Sequence, residues 1–210
     1  MNQFEGFPKI PRYSRNCVIT EKIDGTNAQI VIEPVLMTVK EWENTHLPPL
    51  LYSFSTVLVE CVALYAGSRK RFISPEADNF GFASWAAMNF EELLKLGPGR
   101  HYGEWWGQGI QRGYGLKEKR FSLFNTRKWN DPSVRPSCCH VVPTIVVGEF
   151  DTPDLISGAM SILEDMGSFA APGFMNPEGI VIYHTAANQL FKKTFKNDEK
   201  GKEEGDGTVF

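Results

Sequence analysis

Glu21-Lys22-Ile23-Asp24-Gly25-Thr26-Asn27 is the stretch on which the reading of this chain turns. Val18 and Ile19 lead into it. Ala28, Ile30 and Ile32 alternate on the way out, the period of a half-buried strand. Asp24-Gly25 is a turn pair, because glycine tolerates a positive φ and aspartate can bond its own backbone. Lys22 is therefore expected at a strand end, aimed where a ligand can approach. Lysine is a nucleophile when its amine is neutral, a form favoured by nearby cations or by desolvation. The same residues also read as an ordinary hairpin with a surface lysine, and this stretch alone does not choose.

With 210 residues, 42% hydrophobic and 12% aromatic, the chain can bury a real core in one large domain or two small ones. No apolar run reaches the ~18 residues of a membrane span. The N-terminal residues show no basic region followed by an apolar one, so no secretory signal is expected. Cys17, Cys61, Cys138 and Cys139 are too sparse for a disulfide scaffold, and free thiols point to a reducing, cytoplasmic compartment. Cys138-Cys139-His140 lacks the usual spacing of zinc ligands. A net charge of −3 argues against a wholly basic nucleic-acid coat and leaves room for a local basic groove.

Downstream, residues 34–53 carry Pro34, Pro48 and Pro49 and read as an extended loop or a hairpin excursion; Thr56 to Leu64 reads as a strand. Ser68-Arg69-Lys70-Arg71 is a compact cationic cluster, either a solvated face or a set of guanidinium forks for phosphate. Phe82, Trp85, Ala86, Asn89, Leu93 and Leu96 recur at helical spacing, and Gly97-Pro98-Gly99 ends that helix. Arg100 to Gly107 follows as a strand. Glu104, an acid among aromatics there, is costly to bury without a partner such as a ligand hydroxyl or amine. The glycines from Gly107 to Gly115 do not form the dinucleotide-binding pattern.

From Arg112 to Lys128, Arg112, Lys117, Lys119, Arg120, Arg127 and Lys128 interleave with Phe121 and Phe124. Basic residues beside aromatics suit phosphates and stacked bases; a strand with one core face and one wet face would look the same. Arg71, Arg112, Lys119 and Arg120 are the candidates for nucleic-acid contact. Residues 130–140 read as a loop and Val141 to Phe150 as a strand. Thr152 and Pro153 would cap and open a second amphipathic helix through Leu155, Ala159, Ile162, Leu163 and Met166. Glu178 opens a strand to His184, and Gln189 to Phe195 is its hairpin partner. Antiparallel strands with two helices make an α+β fold. Residues 1–196 read as one domain and 197–210 as a mobile charged tail.

In this order the motifs resemble those of the ATP-dependent RNA ligases of the RNA-ligase-2-like phage type. These are covalent nucleotidyltransferases, related to DNA ligases and mRNA capping enzymes. Glu21 to Asn27 is similar to the nucleophile motif. Arg69 with Ile73, Pro75 and Phe80-Gly81 resembles the second motif, and Gly103-Glu104-Trp105-Trp106-Gly107 through Gly109-Ile110-Gln111 the third. Phe121 to Phe124 resembles the adenine-stacking segment, Glu178 to Ile182 the fourth motif, and Phe191-Lys192 the fifth. The resemblance implies antiparallel sheets with flanking helices, the ATP-grasp-like nucleotidyltransferase domain of polynucleotide ligases.

It also implies roles. Lys22 attacks the α-phosphate of ATP and becomes lysyl-AMP, Lys192 neutralises that phosphate, and Glu178 helps hold Mg²⁺ or Mn²⁺ at the AMP-transfer stage. Glu21, Asp24, Asn27, Arg69, Glu104, Phe124 and Lys193 form the nucleotide-binding set. AMP then passes to an RNA 5′-phosphate, which is joined to a 3′-hydroxyl at RNA ends or in a nicked duplex. Thr194 departs from the usual second lysine of the fifth motif, Tyr183 from a lysine after the fourth, and Asn125 from an aspartate after the stacking phenylalanine. The extra C-terminal domain of the phage enzymes has no counterpart, so a monomeric catalytic domain is expected, with a partner protein a means of replacing that domain. An ATP-dependent DNA ligase, a GTP-dependent capping-type enzyme and a non-catalytic nucleotide- or RNA-end-binding module are the alternatives.

Overall fold

The computed structural model describes residues 6–38, 50–54, 58–196 and 198. In chain order its elements are β1 (Asn16–Lys22), β2 (Thr26–Thr38), β3 (Leu50–Phe54), β4 (Leu58–Ser68), β5 (Phe72–Ile73), α1 (Phe82–Met88), α2 (Phe90–Leu93), β6 (Gly99–Gly107), β7 (Lys119–Leu123), α3 (Thr126–Trp129), β8 (Cys139–Val141), β9 (Thr144–Glu149), α4 (Leu155–Met166), β10 (Gly179–His184) and β11 (Gln189–Thr194). The expected α+β class holds. Two compact units divide the chain, Met1–Ile23 with Pro143–Phe210, and Asp24–Val142. The charged stretch of 197–210 lies outside the described residues apart from Asp198, as do 39–49 of the expected loop.

The first unit is built on an antiparallel sheet of order β11-β10-β1-β9. Cys17, Ile19 and Glu21 of β1 are buried in alternation. Cys17 and Ile19 pack with Ile180 and Ile182 of β10 against Ala159 and Leu163 of α4, whose apolar residues recur at helical spacing. The helix begins later than Thr152-Pro153 suggests. Asp154 is its cap residue, at φ 59, and the Leu155 amide bonds back to the Thr152 carbonyl. The three residues before Leu155 are thus consumed by a turn.

The second unit is a seven-stranded sheet of order β3-β4-β2-β6-β7-β8, with β5 on β4. Ala28, Ile30 and Ile32 of β2 join Trp105, Phe121 and Leu123 in one core with Phe82, Ala83 and Ala86 of α1. β1 and β2 are not a hairpin: they belong to different sheets. Nor is Pro34 in a loop. It lies within β2 opposite Val62 of β4, beyond Ile32 where the pairing with β6 ends. A proline is tolerated in a strand that has lost one neighbour, because its missing N–H has no partner to disappoint. The expected helix from Phe82 to Leu96 breaks at Asn89, whose side-chain amide bonds the Trp85 carbonyl and competes with the backbone ladder.

Candidate active site

Lys22 is the last residue of β1, and its Nζ donates to Oε2 of Glu178 at 2.6 Å. Glu178 stands one residue before β10, its carbonyl accepting from the Phe195 amide. The strand register fixes what else shares their side of the sheet. Thr20 lies opposite Val181, and Val181 opposite Lys192. Lys22 lies opposite Gly179, and Gly179 opposite Thr194. Residues directly opposite in antiparallel strands point to the same face. Lys22, Lys192 and Thr194 therefore share a face, with Tyr183 further along it opposite Val18. Gly179 is needed in this arrangement: a Cβ there would sit 2.1 Å from the Lys193 carbonyl oxygen.

Lys193 points the other way, opposite Ile180, and its Nζ lies 3.6 Å from Asp198 Oδ2. Grouping it with the nucleotide-binding residues does not fit this geometry, because strand alternation carries it away from Lys22. Glu21 needs the same correction. Its side chain is 1% exposed on the face opposite Lys22. Oε1 accepts from the Ser168 hydroxyl at 2.6 Å and Oε2 from the Ala170 amide at 2.8 Å. Burial pushes this carboxyl up from its ordinary range, and the bonds from Ser168, Ala170 and Phe169 pull it part of the way back. The Glu21 carboxylate ties down the loop after α4 and is not open to a nucleotide.

In the second unit the turn residues serve a different purpose from the one expected. Gly25 is not among the residues with positive φ. It is glycine because a Cβ would lie 2.5 Å from the Trp105 carbonyl oxygen and 2.7 Å from Trp106 Cβ. Asp24 is pinned at both ends, its amide donating to the Tyr114 hydroxyl at 2.8 Å and its Oδ2 accepting from Arg112 Nε at 2.8 Å. Tyr114, held at φ 51 in a 3₁₀ turn and packed edge-on against Trp106, escaped the sequence reading. The glycines on either side of it, Gly113 and Gly115, were the available signal.

Asn27 and Glu104 face each other across β2 and β6, and Asn27 Nδ2 donates to Glu104 Oε2 at 2.9 Å. The buried acid thus has a protein partner. Phe124 follows β7 with its ring 41% exposed and its amide bonded to the Tyr102 carbonyl. Arg69 is exposed in the turn after β4. The proposed basic contacts are bonded within the protein. Arg71 donates to the Ala77 and Phe72 carbonyls, Arg112 to Asp24 and Lys119 to the Phe80 carbonyl at 2.7 Å. Arg120 pairs with Glu118 and lies over the Trp106 ring. The Phe80 carbonyl also accepts from Trp105 Nε1, which locks the Phe80-Gly81 bend.

Among the described residues no three His, Cys, Asp or Glu side chains cluster as metal ligands. Cys139 and His140 lie opposite Phe121 and Ser122, successive positions that alternate between the faces of β8.

No curated protein sequence matches the chain. Solved structures of RNA ligase from Naegleria gruberi are similar in fold. One variant with ATP and Mn gives a TM-score of 0.53 at 17% identity, covering 88% of this chain and 51% of that one. Another with ATP and Mn gives 0.52 at 17% identity over 88% and 51%. The ligase with PPi gives 0.51 at 16% identity over 86% and 50%. This chain thus spans about half the length of those structures. Residues 15–197 match the RNA ligase family, and the chain belongs to that family.

Proposed function

We propose that this chain is the catalytic domain of an ATP-dependent RNA ligase whose nucleophile is Lys22. The observation that carries the proposal is the placement of Lys22 at a strand end, bonded to Glu178 and on the same sheet face as Lys192. In-line displacement at phosphorus asks the protein for positioning and charge neutralisation more than for covalent work. Once Lys22 has left the Glu178 carboxylate and lost its proton, its Nζ lone pair attacks the α-phosphorus of ATP. The bond to the β-phosphate oxygen breaks, and pyrophosphate leaves with that electron pair. Lys192 sets its ammonium against the charge that develops on the α-phosphoryl oxygens.

An RNA 5′-phosphate oxygen then attacks the phosphorus of lysyl-AMP, returning the electron pair to Nζ. Finally a 3′-hydroxyl loses its proton, attacks the 5′-phosphorus and expels AMP. Glu104, held by Asn27, accepts from a ribose hydroxyl, Arg69 approaches phosphate or ribose, and the exposed ring of Phe124 stacks on the adenine. Asp24 acts as a positioning residue, because Arg112 and Tyr114 hold both its side chain and its amide. The Naegleria gruberi ligase has been solved with ATP and Mn, with AMP and Mn, and with PPi, which supports this assignment of substrate and products.

Glu178 would hold Mg²⁺ or Mn²⁺ without a cluster of three ligating side chains among the described residues, since these ions keep several waters and take other oxygens from substrate phosphates. Bound there, the metal supplies charge neutralisation at the phosphates.

Intact mass after incubation with ATP and Mg²⁺ tests the proposal, beside GTP and a Lys22→Ala control. One AMP added to the wild type with ATP alone is the expected result. An adduct surviving in Lys22→Ala removes Lys22 from the role. A GMP adduct moves the chain to capping chemistry.

A further inference from the structure

Gly6-Phe7-Pro8-Lys9-Ile10-Pro11-Arg12-Tyr13-Ser14-Arg15 leads into β1, and every residue of it is exposed. The run repeats every three residues. Phe7, Ile10 and Tyr13 are apolar, Lys9, Arg12 and Arg15 are cationic, and no acid stands among them. Pro8 and Pro11 keep the same period. A proline fixes its own φ near about −65° and biases the residue before it towards extended backbone. Phe7, Pro8, Ile10 and Pro11 are restricted in this way. A chain so restricted favours the polyproline II helix, with its three residues per turn. Phe7 and Ile10 then share one edge of the segment, and Lys9 and Arg12 another, each pair about 9 Å apart. The chain bends at Tyr13 to Arg15 as it enters the sheet.

The root of the segment is fixed. His184 accepts from the Ala187 amide at Nδ1, so its Nε2 donates, and it does so to the Tyr13 carbonyl at 2.9 Å. The Phe150 amide donates to the Arg15 carbonyl and the Ser14 hydroxyl to Asp151, while the Tyr13 ring packs edge-on against Phe150. Beyond the root the side chains are idle. Among the described residues Lys9 and Arg12 have no hydrogen bond or ion pair, and Arg15 bonds only the Ser14 carbonyl. Arg71, Arg112, Lys119 and Arg120 are by contrast all engaged. Phe7 is 87% exposed and Ile10 76%. Exposed apolar residues gathered in one run, rather than scattered singly, mark a contact surface.

Idle cations beside an exposed ring suit a strand that offers phosphates and flat bases. We propose that residues 6–15 form an arm that binds single-stranded RNA, with Lys9, Arg12 and Arg15 on its phosphates and Phe7 stacked on a base. The inference rests on the reading of the chain as an RNA ligase catalytic domain. Pro-x-x-Pro also suits aromatic-lined protein grooves. RNA is favoured because such a groove reads the proline edge, whereas the ring and the cations hold the other two. The arm stands apart from the nucleotide site. It joins the sheet at Asn16, and Lys22 ends the same seven-residue strand, about 20 Å further on. The arm therefore grips RNA away from the reacting phosphate.

The test is fluorescence anisotropy of a single-stranded RNA, 5′-phosphorylated, labelled at its 3′ end and long enough to reach from Lys22 past Asn16, binding to the whole chain. Lys9→Ala combined with Arg12→Ala should lower the slope of log affinity against log salt by about 1.4, the signature of two lost phosphate contacts on a single strand. Phe7→Ala should weaken binding about tenfold, the loss of one stacked base, while Phe7→Trp keeps the affinity. A merely structural role would not move the salt slope. Melting temperatures and lysyl-AMP formation should stay at the wild-type level in every variant.

An unchanged slope in the double variant, or wild-type affinity in Phe7→Ala, would overturn the proposal. So would binding of an isolated SH3 domain that Pro8→Ala abolishes while the double variant binds RNA normally, which would assign the arm to a protein groove. Absence of lysyl-AMP from the wild type would defeat the catalytic reading while the RNA contrasts still judge the arm. Normal RNA binding by the variants beside a wild type that forms lysyl-AMP would defeat the arm alone.

Discussion

Glu178 holds Lys22 directly, carboxylate to amine, across the end of two neighbouring strands. The side chains are only 24% and 18% exposed, so the pair is partly shielded from solvent screening. Glu178→Ala should slow lysyl-AMP formation by about 100-fold or more, as expected for a group that helps stabilise the transition state. Adduct formation followed by mass, with Mg²⁺ and with Mn²⁺, checks this. Wild-type rates in both metals would take Glu178 out of the chemistry.

The face assignment of the fifth motif predicts a contrast between adjacent lysines. Lys192 lies on the side of Lys22, and Lys193 on the side of Asp198. Lys192→Ala should cost about 100-fold in the rate of adduct formation, while Lys193→Ala should leave it unchanged. Thr194 stands in the same cross-strand row as Lys22, so Thr194→Lys places a second ammonium on the productive face and should accelerate the step. Equal losses from Lys192→Ala and Lys193→Ala would refute the register argument.

Glu21 predicts a pH dependence of stability. Its folded pKa is raised by burial. A raised carboxyl contributes fully below its unfolded value, about 4.3, and loses that contribution as the pH rises through the folded value. Glu21→Gln carries no charge to desolvate. The melting temperature of the variant minus that of the wild type should therefore increase from about pH 4 to about pH 8. A flat difference would mean that Ser168 and the amides compensate the buried charge completely.

Asp78 gives the opposite sign. Burial alone would push its carboxyl up, but the amides of Ala83, Ser84 and Asn79 and the Ser84 hydroxyl outweigh that and hold it low. Asp78 thereby caps α1, which carries Phe82 into the core beneath Trp105. Asp78→Ala should cost about 1–2 kcal/mol in urea unfolding at neutral pH. The gap should close as the pH falls below about 3.9 and through the folded value.

Much of the fold could be read from residue patterns. Period-2 alternation located β2, the runs Arg100–Gly107 and Glu178–His184 located β6 and β10, and the spacing of Leu155, Ala159 and Leu163 located α4. Alternation says which side chains share a face but not which strand lies next door. For that reason β1 and β2 looked like a hairpin although they join different sheets. Lys22 was legible because a motif places it. The engagement of Glu21 with Ser168 was not, since the two are joined only by folding. The pairing of Asp24 with Arg112 was hidden in the same way, as was the cost of a Cβ at Gly25 against Trp105.

Among the described residues, the strand that carries Lys22 pairs only with β9 and β10, both encoded beyond Pro143. Asp24–Val142, by contrast, is one uninterrupted stretch. On the ribosome, β1 therefore emerges before β2 to β8 and finds its neighbours after them. The contiguous unit can fold while β1 still waits with both edges open. Glu178 reaches Lys22 only after the whole of Asp24–Val142 has been made. A chain cut before Glu178 is thus left without the carboxylate that holds Lys22, and the pair on which the proposed chemistry rests is assembled only from residues 156 positions apart.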